Sequence, residues 1–164
     1  MGKIGVFYGS STGTAEDIAG RIASKLGIPT DDVANITAEM VEGYDSLILG
    51  TSTWGSGEMQ DDWYDGVNVL KGQPLDGKKV ALFGCGDCES YSDDFCNGVG
   101  ELFDTLEGKG VEFVGSISTD GYTYDGSSAE RDGQFIGLLI DEMNESDQTD
   151  GRINAWTESI KSLL

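Results

Sequence analysis

KIGVFY from Lys3 to Tyr8, GSSTGT from Gly9 to Thr14, and AEDIAGRIASKL from Ala15 to Leu26 follow one another without a break. The first piece is an apolar run of strand length. The third sets Ile18, Ala19, Ile22 and Leu26 on one helical face. Only small residues separate them, so the unit reads as strand, tight turn, helix. The same unit recurs down the chain. A weak strand is expected at Val33 to Ile36, a short segment at Ala38 to Glu42, and a strong strand at Ser46 to Thr51. A helix is expected over Asp61 to Leu70, a third strong strand over Lys79 to Phe83, and a helix over Asp93 to Leu106 with Phe95, Val99, Leu102, Phe103 and Leu106. Strand-like runs at Phe113 to Ile117 and Gln134 to Ile140 precede a closing helix over Thr149 to Leu164, its apolar side made by Ile153, Trp156, Ile160 and Leu163. Strands alternating with amphipathic helices argue for an α/β fold with a parallel sheet covered on both faces.

Between the last two strand-like runs, Asp120 to Gly133 is rich in Gly, Ser, Tyr and Asp and has no helical period. It is too short for a crossover helix and reads as an insertion that splits an edge strand. No repeat, heptad or linker is evident, and 164 residues at 38% hydrophobic fit one core, so a single domain over 1–164 is expected.

Thirty acidic residues against ten basic, with no histidine, give a formal charge of −20. Such a surface repels nucleic acid and anionic membranes and favours basic protein faces. No stretch approaches the roughly 20 apolar residues that span a bilayer, and the start has no signal-peptide character, so a cytoplasmic location is expected. The lack of histidine removes the commonest acid/base catalyst and metal ligand, which makes hydrolytic chemistry improbable. Three cysteines, Cys85, Cys88 and Cys96, do not form a disulfide framework in such a chain.

The turn Gly9-Ser10-Ser11-Thr12-Gly13-Thr14 has the makings of an anion site. Small residues let backbone approach a ligand, hydroxyls donate, and the amides at a helix start point outward. The helix dipole adds about 0.3 to 2 kcal/mol. No Lys or Arg lies between Lys3 and Arg21, so a phosphate here is held by neutral donors. A Walker A loop fails because Thr14, not lysine, follows Gly13. A dinucleotide fingerprint fails because only two spaced glycines are present.

Taken with Val6-Phe7-Tyr8 before it and Ala19 and Ile22 after it, this turn resembles the flavodoxin signature. Two later segments extend the resemblance over nearly the whole chain: Thr51-Ser52-Thr53-Trp54-Gly55-Ser56-Gly57-Glu58, and Gly84-Cys85-Gly86-Asp87 through Tyr91. The interrupted last strand, flanked by Ser118-Thr119-Asp120-Gly121-Tyr122 and Phe135 to Asp141, is similar to the long-chain subgroup. Carried over with the resemblance, the fold is a doubly wound five-stranded parallel sheet of order 2-1-3-4-5, the order that serves as the family's own illustration of a switch-point site. The cofactor implied is FMN. Its phosphate falls to Ser10, Ser11, Thr12, Gly13, Thr14 and Ala15, where Ala15 replaces the family's usual threonine. Its ring falls to Thr51, Ser52, Thr53, Trp54, Gly55, Ser56 and Gly57, and to Cys85, Gly86, Asp87, Cys88 and Tyr91. Trp54 and Tyr91 are assigned opposite faces of the ring, and the Gly55–Ser56 peptide a movable carbonyl; Trp63 and Trp156 are expected to be packing residues.

The implied function is low-potential one-electron transfer through non-covalently bound FMN, mainly between neutral semiquinone and hydroquinone. The implied partners are redox proteins with basic docking faces, such as a flavin reductase as donor and a redox enzyme as acceptor. A monomer is expected, without a metal and without nucleic acid or membrane as partner. Two alternatives share this fold: an FMN-dependent NAD(P)H:quinone oxidoreductase, and a response-regulator receiver, disfavoured because Thr51-Ser52-Thr53 stands where a phospho-acceptor aspartate belongs. Cys85-Gly86-Asp87-Cys88 also has the spacing of a redox dithiol or half a metal site.

Overall fold

Alternate residues of each central strand bury opposite sides of one sheet, and that period of two sets the layers. In the computed structural model, which describes residues 3–10, 13–54, 58–87 and 92–164, with the side chains of Trp54, Glu58, Met59 and Ser92 left aside, the strands are β1 (Ile4–Gly9), β2 (Thr30–Asp32), β3 (Ser46–Trp54), β4 (Glu58–Met59) and β5 (Lys79–Cys85). They continue as β6 (Glu112–Val114), β7 (Ile117–Ser118), β8 (Glu130–Arg131), β9 (Gln134–Phe135) and β10 (Gly137–Ile140). The helices are α1 (Thr14–Leu26), α2 (Ala38–Gly43), α3 (Asp62–Lys71), α4 (Asn97–Leu106) and α5 (Ser146–Lys161). Phe7, Leu47, Leu49, Val80 and Leu82 face α3 and α4, where Trp63, Val67, Leu70, Val99, Leu102 and Leu106 complete one core. Val6, Ile48, Ala81, Phe83 and Leu138 face α1 and α5, where Ile18, Ile22, Ile153, Trp156 and Ile160 complete the other. Each such large apolar side chain contributes roughly 1.5 to 3 kcal/mol on burial.

The path β10-β5-β3-β1-β2 is parallel throughout, which is the 2-1-3-4-5 order. Its fifth position is shared. β6 pairs with residues 79–81 of β5 and β10 with residues 82–85, so two separate segments make up one broken strand. Between them β7, β9 and β8 form a small antiparallel sheet. The break is wider than the expected Asp120 to Gly133. Gly115 turns the chain with a positive φ of 89° and its carbonyl accepts from Trp156 Nε1 at 2.7 Å, which sends Ile117 into the small sheet. Gln134–Phe135 belongs to that sheet too, so the run from Gln134 to Ile140 is two strands and not one.

Two further expectations shift. The strand expected at Val33 to Ile36 lies earlier, at Thr30–Asp32, because the Asp32 carboxylate accepts from Ala34 N at 2.8 Å and rolls Val33–Asn35 into a 3₁₀ turn. The helix expected from Asp93 begins at Asn97. Cys96 stands at φ 52° and Phe95 N donates to the Gly126 carbonyl at 3.2 Å, so that turn is bound to the insertion and not to a helix. The closing helix ends at Lys161, leaving Leu163 44% exposed.

Candidate functional site

Register places the ends of the central strands abreast. Gly9 is level with Thr51, Thr51 with Gly84, and Ser52 and Ile140 with Cys85. The segments that follow β1, β3 and β5 therefore leave one edge of the sheet from neighbouring strands. That edge is the carboxyl edge, and the chain diverges between β1 and β3, where ligands of open α/β sheets bind.

The floor of this edge is close-packed through glycines. A Cβ at Gly9 would come within 2.6 Å of Trp63 Cδ1, one at Gly50 within 2.0 Å of the Phe83 ring, and one at Gly84 within 2.2 Å of Val99 Cγ2. Trp63 Nε1 donates to the Gly50 carbonyl at 2.7 Å, so the α3 tryptophan braces β1 and β3 together. Trp63 and Trp156 are packing residues, at 0% and 1% exposure.

At the first loop, α1 starts without a side-chain cap. Gly13, in the left-handed region at φ 92°, precedes Thr14, and a Cβ there would meet nothing within 4 Å. Its amide donates to Ser10 Oγ at 3.0 Å, which curls the turn back on itself. A helix start of this kind leaves its first amides facing outward, the donor set an anion requires. Ala15 is fully buried, in the cluster beneath α1. The next cation along the chain, Arg21, is engaged by Asp17 at 2.8 Å, Asp150 at 3.2 Å and Glu142 at 3.5 Å. Tyr8, beside the loop, has its phenol pushed up by burial first and then by Glu16, Asp32 and Asp31.

On the second loop, the hydroxyls of Thr51 and Thr53 are spent within the protein. Thr51 Oγ1 donates to the Ser52 carbonyl at 2.8 Å and accepts from Gln60 N at 3.0 Å. Thr53 Oγ1 accepts from Gly98 N at 2.9 Å, tying β3 to the start of α4. Trp54 ends β3 opposite Glu58 in an antiparallel hairpin. On the third loop, Gly86 N donates to the Ile140 carbonyl at 3.0 Å, so that amide is committed to β10. Asp87 Oδ1 accepts from Asn144 Nδ2 at 2.7 Å. The expectations for Ser11, Thr12, Gly55, Ser56, Gly57, Cys88 and Tyr91 lie outside the described residues.

Cys85 is buried on the α1/α5 side of the sheet and Cys96 on the other, and they are not joined by a disulfide. Burial, then the carboxylates of Glu142 and Asp141, pushes the Cys85 thiol up to about 12. A thiol so placed is not a nucleophile at neutral pH, which weighs against a dithiol reading of Cys85.

Sequence reasoning passed over Gln60, Asp141 and Asn144. Gln60 bridges Thr51 and α3, accepting from Asp62 N at 3.0 Å. Asp141 is 0% exposed and accepts from Met143 N and Asn144 N at 3.0 and 2.9 Å. The signal was present: an Asp closing an apolar strand, with Asn three residues on, is a local turn signature.

The sequence model of the family described as Flavodoxin matches residues 6–156. Flavodoxin 1 of Azotobacter vinelandii is 44% identical over 163 residues, covering 95% of this chain and 94% of that protein. The flavodoxin of Synechococcus elongatus is 41% identical over 166 residues, covering 99% and 98%. Among solved structures, the Fusobacterium nucleatum flavodoxin bound to flavin mononucleotide superposes with a TM-score of 0.93 at 35% identity, covering 100% of this chain and 99% of that one. With the broken fifth strand and the carboxyl-edge loops already in place, these matches mean that the chain belongs to the flavodoxin family of electron-transfer proteins, in its long-chain subgroup.

Proposed function

We propose that the whole chain acts as one FMN-binding domain and serves as a low-potential one-electron carrier. The cofactor is held non-covalently and cycles mainly between neutral semiquinone and hydroquinone. One observation carries the reading: three loops leave adjacent strands at one edge, the first running into a helix that starts at Thr14 after Gly13, with no side-chain cap. That donor set suits a phosphate monoester, and the F. nucleatum flavodoxin, alike over its whole length, is bound to flavin mononucleotide.

Ser10, Ser11, Thr12, Gly13, Thr14 and Ala15 hold the phosphate, Ala15 through its backbone because its methyl is buried. Thr51, Ser52, Thr53, Trp54, Gly55, Ser56 and Gly57 form the first wall of the ring site; Thr51 and Thr53 act by fixing the loop, since their hydroxyls are engaged inside the protein. Cys85, Gly86, Asp87, Cys88 and Tyr91 form the second wall. FMN supplies the one-electron chemistry, and the protein binds, orients and electrostatically tunes it. The partners are redox proteins with basic docking faces, a flavin reductase and a redox enzyme among them, met by a cytoplasmic monomer carrying a charge of −20. The test is a visible spectrum of the purified chain during stepwise dithionite reduction. Flavin bands that pass through a blue stage are expected; a colourless protein that takes up neither FMN nor riboflavin overturns the reading.

A further inference from the structure

At the carboxyl edge the side-chain amide nitrogen of Asn144 joins two carboxylates. Asp141, at the end of β10, has its carboxylate fully buried and filled by three donors: Met143 N at 3.0 Å and Asn144 N at 2.9 Å on Oδ1, and Asn144 Nδ2 at 2.9 Å on Oδ2. The same Asn144 Nδ2 donates to Asp87 Oδ1 at 2.7 Å. Asparagine's NH₂ carries two hydrogens, one for each carboxylate. Hydrogen bonds to ionised acceptors are about twice as strong as neutral ones. One step before Asp87, Gly86 is held on both sides: its amide donates to the Ile140 carbonyl at 3.0 Å, and its Cα lies so near Cys96 that a Cβ would come within 2.9 Å of Cys96 N. Residues 86–87 after β5 thus hang from the segment 140–144, and through Asn144 that attachment reaches the Asp87 carboxylate.

Resting on the FMN reading above, we propose that Asn144 is a positioning residue of the ring site: it fixes where the Asp87 carboxylate and its loop stand against the flavin ring. Asn144 does this from outside the three loops that meet the cofactor. Its effect falls on ring affinity and on the midpoint potential of the second electron, which adds negative charge beside Asp87, and not on the phosphate.

Asn144→Ala leaves the backbone donors to Asp141 in place, so its turn still forms. In the full-length protein the dissociation constants for FMN and for riboflavin should both rise by a common factor, about tenfold for loss of the charge-assisted bond to Asp87. The second midpoint potential should move; the thermal midpoint of the apoprotein should fall too, because Asp141 Oδ2 loses its Asn144 Nδ2 donor, and that fall should persist when Asp87 is absent whereas the flavin effect should not. Asp87→Ala supplies the second arm: with Asp87 absent, adding Asn144→Ala should produce little further loss, the non-additivity expected of two ends of one contact. Wild-type affinity and potentials in Asn144→Ala overturn the proposal, as does a loss confined to FMN or a double variant in which the two losses multiply. A wild-type protein that binds neither flavin overturns the FMN reading and this inference with it; flavin binding unaltered by Asn144→Ala overturns this inference alone.

Discussion

Gly86 and Cys85 sit side by side and make opposite demands. A methyl on Gly86 would lie 2.9 Å from Cys96 N and 3.0 Å from its Sγ, and the nitrogen is backbone that cannot swing aside. Gly86→Ala should therefore destabilise the apoprotein by about 1 to 3 kcal/mol, the usual cost of forcing extra volume into packed structure. Urea unfolding measures it, and a midpoint equal to wild type would refute the close packing of Gly86 against Cys96. Cys85 is a matter of protonation. Its thiol is raised from an ordinary 9.0 to about 12, first by burial and then by Glu142 and Asp141. As pH climbs past 9 the unfolded chain loses this proton before the folded chain does. The stability tied to the buried neutral thiol is thus whole below pH 9 and lost as pH approaches 12. Cys85→Ala should remove the part of the alkaline decline that begins near pH 9. The part that begins near pH 10 should remain, because burial also raises Tyr122 and Tyr124. Equal pH slopes in the two proteins would count against it. At this scale the sequence was legible where chemistry is local, as in the uncapped turn before α1. It was silent where a residue's work depends on a distant neighbour: nothing in Thr51 or Thr53 says that their hydroxyls are taken by Ser52, Gln60 and Gly98.

Among elements, the insertion between β6 and β10 shows what periodicity can and cannot reveal. Its composition marks it as irregular, yet Tyr122, Tyr124 and Phe135 gather around Phe95 with ring centroids 4.9 to 6.3 Å apart, an extension of the α3/α4-side core that neither a period of two nor one of 3.6 announces. The same cluster explains why the helix expected from Asp93 starts late, since Phe95 turns toward those rings. Arg152 on α5 pins the insertion from the other side. Its guanidinium lies 3.8 Å from the Tyr122 ring centroid, bonds Glu145 at 3.0 Å through Nη1, and donates to the Gly121 carbonyl at 3.0 Å through Nη2. Arg152 is part-buried and the contact joins stacking to a charge-assisted bond, so its removal should loosen this segment locally by about 1 to 3 kcal/mol. Arg152→Ala should speed amide exchange over residues 117–124 by tenfold or more while FMN affinity stays within twofold. Slow exchange retained in that segment would show that the aromatic cluster suffices without the arginine.

The formal charge of −20 acts on the whole molecule, and its consequence is electrical. Charge was the property read most directly from the sequence, because it depends on counts and not on packing; the structure adds that Arg21, the first cation after the turn that leads into α1, is already neutralised by Asp17, Glu142 and Asp150. A flavin bound at the carboxyl edge, as proposed, would therefore take up charge in a field of carboxylates. One carboxylate about 10 Å away through water-like surroundings opposes an added negative charge by roughly 0.4 kcal/mol. With about 1.4 kcal/mol equal to 59 mV for one electron, that is roughly 20 mV per carboxylate. In the proposed cycle the first electron would arrive with a proton and add no net charge, so the field would bear on the second. The screening length falls from about 10 Å at 0.1 M salt to about 3 Å at 1 M, which removes most of the contribution of exposed carboxylates. Raising salt across that range should move the second midpoint potential upward by roughly tens of millivolts while the first stays nearly fixed. Potentiometric titration at several salt concentrations measures both in one experiment. A second potential that is flat or falls with salt would mean that the carboxylates setting it are close and desolvated, with Asp87 the first to substitute, and that the distant charge serves docking alone.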